Sequence, residues 1–226
     1  MDNKALFHLM SWMSPSYPVG AYTYSHGIEY AVEAGLLKNV DELVVWITDI
    51  LVFGSGKSDS AFLAATYAEA ISGTLAGLCD IAELGQAFSS TRELALETEQ
   101  QGRAFIRVIS DVSPSPGLGA LQKQWQGPII SPIAVAIVAA DNNIPLAAVL
   151  TAYLHGFVSN LVSAAVRLVP LGQTDGQRAI AALAQTVEET VRAAQNTTLE
   201  DMGTATLMVD WCSSKHETQY TRLFRS

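Results

Sequence analysis

The most apolar part of the sequence lies between residues 129 and 169, and it limits strongly what the chain can fold into. Pro132, Pro145 and several polar residues interrupt it, so no uninterrupted apolar run reaches the ~18 residues that a membrane span needs. Proline is tolerated in the first turn of a helix but disrupts its interior, so Pro145 predicts the start of a second helix. We therefore predict two buried helices, at residues 129–140 and 145–169, and no membrane span.

Apolar residues recur at helical spacing through most of the remaining chain, and clusters of glycine, proline and serine separate the segments. The other segments with a helical pattern are residues 4–13, 39–53, 60–71, 75–88, 90–109, 178–194 and 206–215. We predict an all-α fold with one domain at residues 1–215, a bundle of roughly eight to ten helices. Residues 216–226 are predicted to form a flexible tail that becomes ordered on binding.

The composition predicts a surface that another chain covers. Hydrophobic residues make up 49% of the chain and charged residues only 15%, against about 25% charged in typical soluble domains. We therefore expect an exposed apolar surface and a homodimer. The net charge of −9 argues against a nucleic-acid partner, because phosphates require clusters of Lys and Arg. Cys79 and Cys212 lie far apart and the N-terminus lacks a signal-peptide pattern, which predicts reduced thiols and a cytoplasmic location.

A rigid turn near the N-terminus precedes a group of aromatic and ionisable side chains. Pro15 and Pro18 fix the backbone there and disfavour a helix before them. If a helix begins at Tyr22, the side chains of Tyr22, His26, Glu29 and Glu33 lie on one face. The pattern predicts a polar face that carries phenols, an imidazole and two carboxylates.

No catalytic constellation is recognisable in the sequence. Residues 54–58 resemble the end of a phosphate-binding loop, but Leu51 occupies the position of its first glycine, and we predict a linker there. Cys212 and His216 have the i, i+4 spacing of two metal ligands on a helix, and two ligands do not make a site. We therefore expect no catalytic residue, no metal site and no cofactor.

Three polar residues stand inside the apolar segment at residues 145–169. His155 and Asn160 are predicted to be hydrogen-bonded residues of the core, since a buried polar group without a partner is costly. Arg167 lies near the end of the segment, and a guanidinium in apolar surroundings needs a partner. The residues 111–119 that precede the segment, rich in proline and glycine, are predicted to be a loop.

Four blocks of sequence follow one another in the order of a known family. They are SPSYPVGAYTYSHGIE at residues 14–29, RELALETEQQGR at residues 92–103, VRLVPLGQ at residues 166–173 and HETQYTRLFRS at residues 216–226. Together they resemble the UreF family of urease accessory proteins. Lys215 stands where the family has arginine, and residues 54–60 and 111–128 depart from the family pattern.

The resemblance implies a scaffold that has no reaction of its own. UreF-like proteins are all-α and dimerise. They bind a second accessory protein, UreD (also called UreH), partly through the C-terminal tail. Together these proteins recruit the GTPase UreG, whose nucleotide cycle drives nickel into apo-urease. Nickel is then the cargo of the complex, and whether it contacts this chain is left open.

Carried over residue by residue, the resemblance assigns two groups of partner-binding residues. The residues expected to bind UreD are Tyr220, Arg222, Leu223, Phe224 and Arg225. The residues expected to line a surface used by UreG or by the dimer are Tyr24, His26, Glu29, Arg167 and Gln173.

One alternative of a different class stays open. A small all-helical enzyme could use Cys79, or a carboxylate pair such as Glu93 and Glu97, in a central pocket. Retained urease activation by a Cys79→Ala variant would set this alternative aside.

Overall fold

The chain folds into eleven α-helices in a computed structural model that describes residues 2–226, and no strand is present in this part of the chain. Their bounds are α1 Asn3–Trp12, α2 Ile28–Glu33, α3 Val40–Phe53, α4 Ser55–Ser72, α5 Leu75–Ala87, α6 Arg92–Val112, α7 Pro116–Gln124, α8 Ser131–Asp141, α9 Leu146–Leu168, α10 Gln173–Ala194 and α11 Leu207–His216. Two short 3₁₀ helices lie at Ala21–Thr23 and Leu199–Asp201. The predicted all-α fold is confirmed.

The helix α8 lies at the centre of the domain and is buried on every side. All of its residues up to Ala140 are buried, which explains why the sequence shows no polar face there. It packs against α4, α6 and α7, while α9 packs against α10, α4 and α2. Pro132 lies in the first turn of α8 and Pro145 precedes the first turn of α9, where a missing N–H costs no intrahelical hydrogen bond. The two predicted buried helices are confirmed.

The helix α9 is long and apolar enough to cross a membrane by length and composition alone. It has 23 residues, and the mean hydropathy of its most apolar window is 1.4. The polar residues His155, Asn160 and Arg167 break the apolar run of the sequence, but the helix continues through them. Its packing against α10, α4, α2 and α3, with 44% of that window buried inside the domain, is typical of a core helix.

The helix α6 approaches the start of α8 so closely that only glycine fits at the crossing. A Cβ atom on Gly102 would lie 2.2 Å from the carbonyl oxygen of Ile129 and 2.9 Å from the backbone nitrogen of Ser131. Because packed atoms do not approach this closely, any side chain at this position would push the two helices apart. The crossing therefore fixes the inner face of α6 against the core.

The substitution Gly102→Ala should lower the free energy of unfolding by about 1–3 kcal/mol, because overpacking forces the backbone to shift. The matched control is Gly119→Ala in α7, where a Cβ atom meets no heavy atom within 4 Å. There alanine should leave stability unchanged or raise it by about 0.5–1 kcal/mol through its higher helix propensity. Urea denaturation measures both variants, and equal stabilities would contradict the close crossing.

Two segments predicted to be loops are mostly helical. Residues 54–58 are not a linker, because Gly54 alone leaves the helical conformation and α4 begins at the next residue. Residues 111–119 are a loop only in part. The helix α7 begins at Pro116, whose fixed φ suits a first turn, and the Ser115 side chain caps it.

The chain before α2 is not a continuous helix, so the predicted polar face does not form. A 3₁₀ helix ends at Thr23, and α2 begins only at Ile28. The φ angles of His26 and Gly27 are 55° and 79°, in the left-handed region, which interrupts a right-handed helix. The helical count from Tyr22 is therefore wrong, and His26 turns toward α6 instead.

The C-terminal tail packs against the domain in the isolated chain. After α11 ends, residues 222–226 return to α2 and to the turn that precedes it. The relative exposure of Phe224 is 4% and that of Ser226 is 1%. The expectation that the tail orders only on binding is corrected, because hydrogen bonds and a buried aromatic ring already hold its end.

Candidate functional site

Two carboxylates of α6 form the centre of a buried polar network. The helix begins after Thr91, whose hydroxyl accepts a hydrogen bond from the N–H of Leu94. Glu93 and Glu97 follow one turn apart on the same face, and their relative exposures are only 4% and 7%. A buried carboxylate needs hydrogen-bond donors or a cation, and segments distant in sequence supply them.

Glu93 shares a histidine with Glu29 of α2. His216 is fully buried at the end of α11; its Nδ1 lies 2.7 Å from Glu93 Oε2 and its Nε2 lies 2.9 Å from Glu29 Oε2. The Arg222 guanidinium also contacts Glu93, at 3.2 Å. Burial raises the pKa of Glu93, while the charges of His216 and Arg222 oppose that rise. Two side chains from the C-terminal end of the chain, His216 and Arg222, thus stabilise one carboxyl group of α6.

Glu29 also binds the backbone of the tail. Its Oε1 accepts a hydrogen bond from the N–H of Leu223 at 2.6 Å, and its Oε2 accepts one from the N–H of Phe224 at 2.9 Å. Hydrogen bonds to an ionised acceptor are shorter and stronger than those between neutral groups. One carboxylate therefore joins α2, α11 and the tail.

The end of the tail runs along the turn that precedes α2. The N–H of Arg225 donates to the carbonyl oxygen of Thr23 at 2.8 Å. The Ser25 hydroxyl donates to the carbonyl oxygen of Ser226 at 2.8 Å. These bonds satisfy backbone groups of both segments, so the turn and the tail stabilise each other.

Arg167 of α9 contacts both the tail and the turn that precedes α2. Its guanidinium carbon lies 4.3 Å from the centroid of the Phe224 ring, a cation–π arrangement. Its Nη2 donates to the carbonyl oxygen of Tyr22 at 2.8 Å. The predicted need of Arg167 for a partner is met by an aromatic ring and a backbone oxygen, and not by a carboxylate.

The second carboxylate, Glu97, binds a different histidine. The Nδ1 of His26 lies 3.0 Å from Glu97 Oε2, and its Nε2 lies 2.9 Å from the Ser55 hydroxyl. Burial lowers the pKa of His26, but the charge and hydrogen bond of Glu97 raise it further, so the net shift is upward. The stability from this pair is therefore present below the ordinary histidine pKa and is lost as pH rises through the raised value.

Two small cavities flank Glu97. Their volumes are about 60 and 70 Å³, and Glu97, Gln101 and Tyr153 line both of them. His26 and Asp59 line the first cavity. Each cavity can hold a few water molecules, but both are far below the ~300 Å³ of a typical site for a small organic ligand.

Asp59 contributes a second carboxyl group to the first cavity. The Tyr153 hydroxyl donates to Asp59 Oδ2 at 2.8 Å. Burial raises the pKa of Asp59 to about 6, although the Tyr153 hydrogen bond and the charge of His26 lower it in part. Burial and the nearby Asp59 also raise the pKa of Tyr153. The cavity thus places a carboxyl group that titrates near neutral pH beside the His26–Glu97 pair.

The substitution Asp59→Asn should stabilise the domain more at pH 7 than at pH 4. Folding raises the pKa of Asp59 from 3.8 to about 6, so ionisation costs stability as pH rises through this range, and the cost vanishes at lower pH. Asparagine keeps an acceptor for Tyr153 without the charge, and the gain at pH 7 should be on the order of 2 kcal/mol.

Urea denaturation of the native chain and of the variant at pH 4, 5.5 and 7 measures this gain. The matched control is Asp49→Asn, at an exposed position of α3, which should give no comparable gain at pH 7. A gain from Asp59→Asn that is the same at all three pH values would contradict the burial of an ionised carboxyl group.

The chain is similar to known proteins over its full length. The urease accessory protein UreF of Bradyrhizobium diazoefficiens is 48% identical over 225 residues, which cover 100% of this chain and 93% of that protein. The UreF of Granulibacter bethesdensis is 47% identical over 224 residues (99% and 95%), and that of Xanthobacter autotrophicus is 44% identical over 222 residues (98% and 91%). A profile of the UreF family matches residues 37–184. The chain belongs to the UreF family.

The UreF resemblance predicted from the four sequence blocks is thereby confirmed, and the relatives are accessory proteins, not ureases.

Three of the residues that we assigned to a UreG or dimer surface are buried in this chain. The relative exposures of Tyr24, His26 and Glu29 are 3%, 4% and 6%, so they face the interior of the chain. Arg167 and Gln173 are exposed and line a surface groove between α9 and α10. Tyr24, His26 and Glu29 therefore face the interior of the isolated chain and Arg167 and Gln173 lie at its surface, and the assignment of all five residues to a partner surface stays a prediction.

The five tail residues that we assigned to UreD divide between two sides. Phe224 is buried and faces the domain. Tyr220 and Leu223 are 104% and 66% exposed, and Arg222 and Arg225 are exposed as well. The outward side of the tail therefore carries an aromatic ring, an aliphatic side chain and the exposed Arg225, while the guanidinium of the partly exposed Arg222 also contacts the buried Glu93. The assignment of these residues to UreD stays a prediction.

The enzymatic alternative has little geometric support. Cys79 is half-buried on α5 and lines neither cavity beside Glu97. Cys212 is buried, which raises its pKa to about 11, and both ring nitrogens of the neighbouring His216 contact carboxylates. In the described part of the chain, no group of three or more His, Cys, Asp or Glu side chains has the arrangement of a metal site.

Sequence reasoning missed how the histidines are used. His216 was considered only as a metal ligand, and Glu93 and Glu97 only as a catalytic pair. The available signal was the i, i+4 spacing of Glu93 and Glu97, which places both carboxylates on one face of a helix. The reverse error concerns His155, which was predicted to lie in the core and is exposed on α9, while Asn160 is half-buried.

Proposed function

We propose that this UreF-family chain is a scaffold for nickel insertion into urease and has no reaction of its own. It bridges UreD (UreH) and the GTPase UreG, and the complex delivers nickel to apo-urease during GTP-dependent maturation. Family membership supports the role in urease maturation, and the accessory function of the relatives supports the absence of a catalytic reaction. The chain acts in the cytoplasm as a homodimer, without a nucleic-acid or membrane partner.

The outward side of the docked tail is the observation that carries this proposal. Tyr220 and Leu223 project into solvent although the backbone beside them is fixed on Glu29. Aromatic and arginine side chains dominate the energetics of many protein interfaces. A segment that is already ordered loses less conformational entropy on binding than a disordered one. These features favour the tail as the contact for UreD.

The charge of the tail also differs from that of the remaining chain. Residues 216–226 contain Arg222 and Arg225 against Glu217, a net charge of +1, whereas the whole chain carries −9. The remaining residues therefore carry −10, and a positive segment on a negative protein favours a partner with an acidic surface. We infer that the UreD surface that meets the tail is acidic.

In this proposal, the second copy of the chain and UreG cover exposed apolar side chains that lie outside the tail. Large exposed side chains outside the tail include Leu6, Phe7, Met10, Tyr22, Val45, Phe53, Val112, Leu207, Met208 and Trp211. Their number fits a chain that several partners cover. Arg167 and Gln173, beside the groove between α9 and α10, are the residues that we assign to UreG or to the dimer.

The double substitution Tyr220→Ser and Leu223→Ser should weaken the binding of purified UreD at least about tenfold, because it removes the exposed apolar contacts of the tail. The fold should be unchanged, since both side chains are exposed and the backbone bonds to Glu29 remain. Calorimetric titration with UreD measures the affinity. The matched control is Val112→Ser, at a position of α6 that is 78% exposed, and it should bind like the native chain. Undiminished affinity in the double variant would refute the tail assignment.

Point substitutions test the tail better than its deletion. Removal of residues 216–226 also removes the His216 imidazole from between Glu29 and Glu93. Two buried carboxylates would then lose a hydrogen-bond partner, and a loss of stability could not be separated from a loss of binding.

Reconstitution tests the scaffold role as a whole. Urease expressed with UreD, UreG and this chain, in a host without its own UreF, should contain nickel and be active. Omission of this chain should leave the urease poor in nickel, and the isolated chain should hydrolyse neither urea nor GTP. Metal analysis of the purified urease provides the measurement. Full nickel content without the chain, or turnover by the chain alone, would contradict the proposal.

A further inference from the structure

A surface pocket lies between α6, α7 and the loop that joins α7 to α8. Its volume is about 380 Å³, which falls in the range of ~300–1,000 Å³ for small-molecule sites, unlike the two cavities beside Glu97. The residues that line it are Glu99, Arg103, Ile106, Gln122 and residues 125–129. None of them lines those cavities or the groove between α9 and α10. The pocket is therefore separate from the polar network and from the surfaces assigned to partners.

The walls of this pocket are fixed by contacts within the chain. The backbone N–H of Trp125 donates to the carbonyl oxygen of Leu121 at 2.8 Å, and its indole Nε1 donates to that of Pro128 at 3.0 Å. Gly127 lies so close to the indole ring that a Cβ atom there would overlap it. Ile129 belongs to the close crossing of α6 and α8 and is 6% exposed. A pocket that is formed in advance loses little conformational entropy when a ligand binds.

Two opposite charges lie on one wall of the pocket without forming an ion pair. Glu99 and Arg103 are one turn apart on α6, and no other charged residue lines the pocket. Glu188 and Arg192 of α10 have the same spacing and order, and their side chains approach to 3.4 Å. Glu99 and Arg103, in contrast, form no ion pair with each other or with any other residue among residues 2–226. Both charges therefore remain available to a ligand.

This pair of charges favours a ligand that carries both signs. The planar guanidinium of Arg103 can donate two parallel hydrogen bonds to a carboxylate, and the Glu99 carboxylate can accept hydrogen bonds from an ammonium group. A simple anion would be repelled by Glu99 and by the net charge of −9 of the chain. A simple cation would be repelled by Arg103. A zwitterion has no net charge, and it can satisfy both side chains because one helical turn makes them neighbours.

The remaining lining favours an apolar side chain on the ligand. Ile106 and Ile129 are 9% and 6% exposed, and they form the apolar part of the pocket together with the fixed indole ring of Trp125. An indole offers a flat face to aromatic and aliphatic groups. The exposed amides of Gln122 and Gln126 can hydrogen-bond polar atoms of the ligand. The side chain, the ammonium group and the carboxylate of one small ligand therefore each have a complementary group in the pocket.

We propose that this pocket binds a free α-amino acid with an aromatic or aliphatic side chain: Arg103 binds the carboxylate, Glu99 binds the ammonium group, and the indole of Trp125 packs against the side chain. A residue inside a polypeptide lacks both backbone charges, and a chain terminus carries only one of them. The two charges of the pocket therefore distinguish the free ligand from a protein segment. The site does not depend on the proposed function, because it shares no residue with the tail or with the groove between α9 and α10.

Titration of the full chain with L-phenylalanine tests this site. Two-dimensional ¹H–¹⁵N NMR follows the indole N–H signals, and a Trp125→Phe variant identifies the signal of Trp125. We expect saturable shifts centred on Trp125, with a Kd on the order of 1 mM for a ligand of this size. L-Leucine should shift the same signals. The absence of saturable shifts up to about 20 mM, well above the expected Kd, or shifts centred outside the pocket, would overturn the proposal.

Two blocked derivatives test whether both charges of the ligand are recognised. N-Acetyl-L-phenylalanine lacks the ammonium group and L-phenylalaninamide lacks the carboxylate, so each should bind at least about tenfold more weakly than L-phenylalanine. If either derivative binds as tightly as the free amino acid, the pocket takes a chain terminus or any apolar group, and the proposal is wrong. This comparison uses the native chain and needs no variant.

Substitutions assign the two charges to the two side chains. Arg103→Gln should weaken the binding of L-phenylalanine at least about tenfold and should not weaken that of L-phenylalaninamide, which has no carboxylate for Arg103 to bind. Glu99→Gln should likewise weaken L-phenylalanine and not N-acetyl-L-phenylalanine. The matched control is Arg107→Gln, an exposed arginine one turn further along α6 that does not line the pocket, and it should bind like the native chain. Equal losses in Arg103→Gln and Arg107→Gln would indicate a general charge effect and overturn the proposal.

Discussion

The burial of three carboxylates is the constraint on which the polar interior depends. Glu29, Glu93 and Glu97 lie inside a helical domain, where an ionised group without partners would be too costly to keep. Their partners are His26, near the start of the chain, and His216, near its end. Polar contacts therefore connect the two ends of the sequence to the first two turns of α6. The docked tail follows from this, since the third carboxylate takes two donors from its backbone.

Apolar packing determines where these carboxylates lie. The helix α8 is buried on all sides, and α6 crosses its start at Gly102 with no room for a side chain. This close crossing turns the inner face of α6, including Glu97, toward the core. The small cavities beside Glu97 leave a few water-sized spaces next to the charges, and Asp59 with its raised pKa shares one of them. The polar network and the apolar core thus both contact the buried residues of α6.

The sequence predicts those features that depend on neighbouring residues. The helices at residues 129–140 and 145–169 follow from composition and proline position, both local properties. The contact of His216 with Glu93 spans 123 residues, and no local pattern encodes it. The same limit explains why the predictions for two histidines were wrong. His155 was expected in the core and is exposed, whereas His216 was expected in a flexible tail and is buried. Histidine occurs in both environments, so the residue type alone does not distinguish them. The tail looked flexible because its polar composition is typical of disorder, whereas its order comes from backbone bonds to Glu29.

The order of the tail changes how a scaffold can use it. A disordered segment must lose its conformational entropy at the moment of binding, which lowers affinity for a given contact area. Here the hydrogen bonds of Glu29 and the burial of the Phe224 ring fix the segment beforehand, and Tyr220 and Leu223 remain available on its outer side. The backbone of the tail therefore contacts the buried Glu29, while the exposed side chains of Tyr220 and Leu223 are available to a partner.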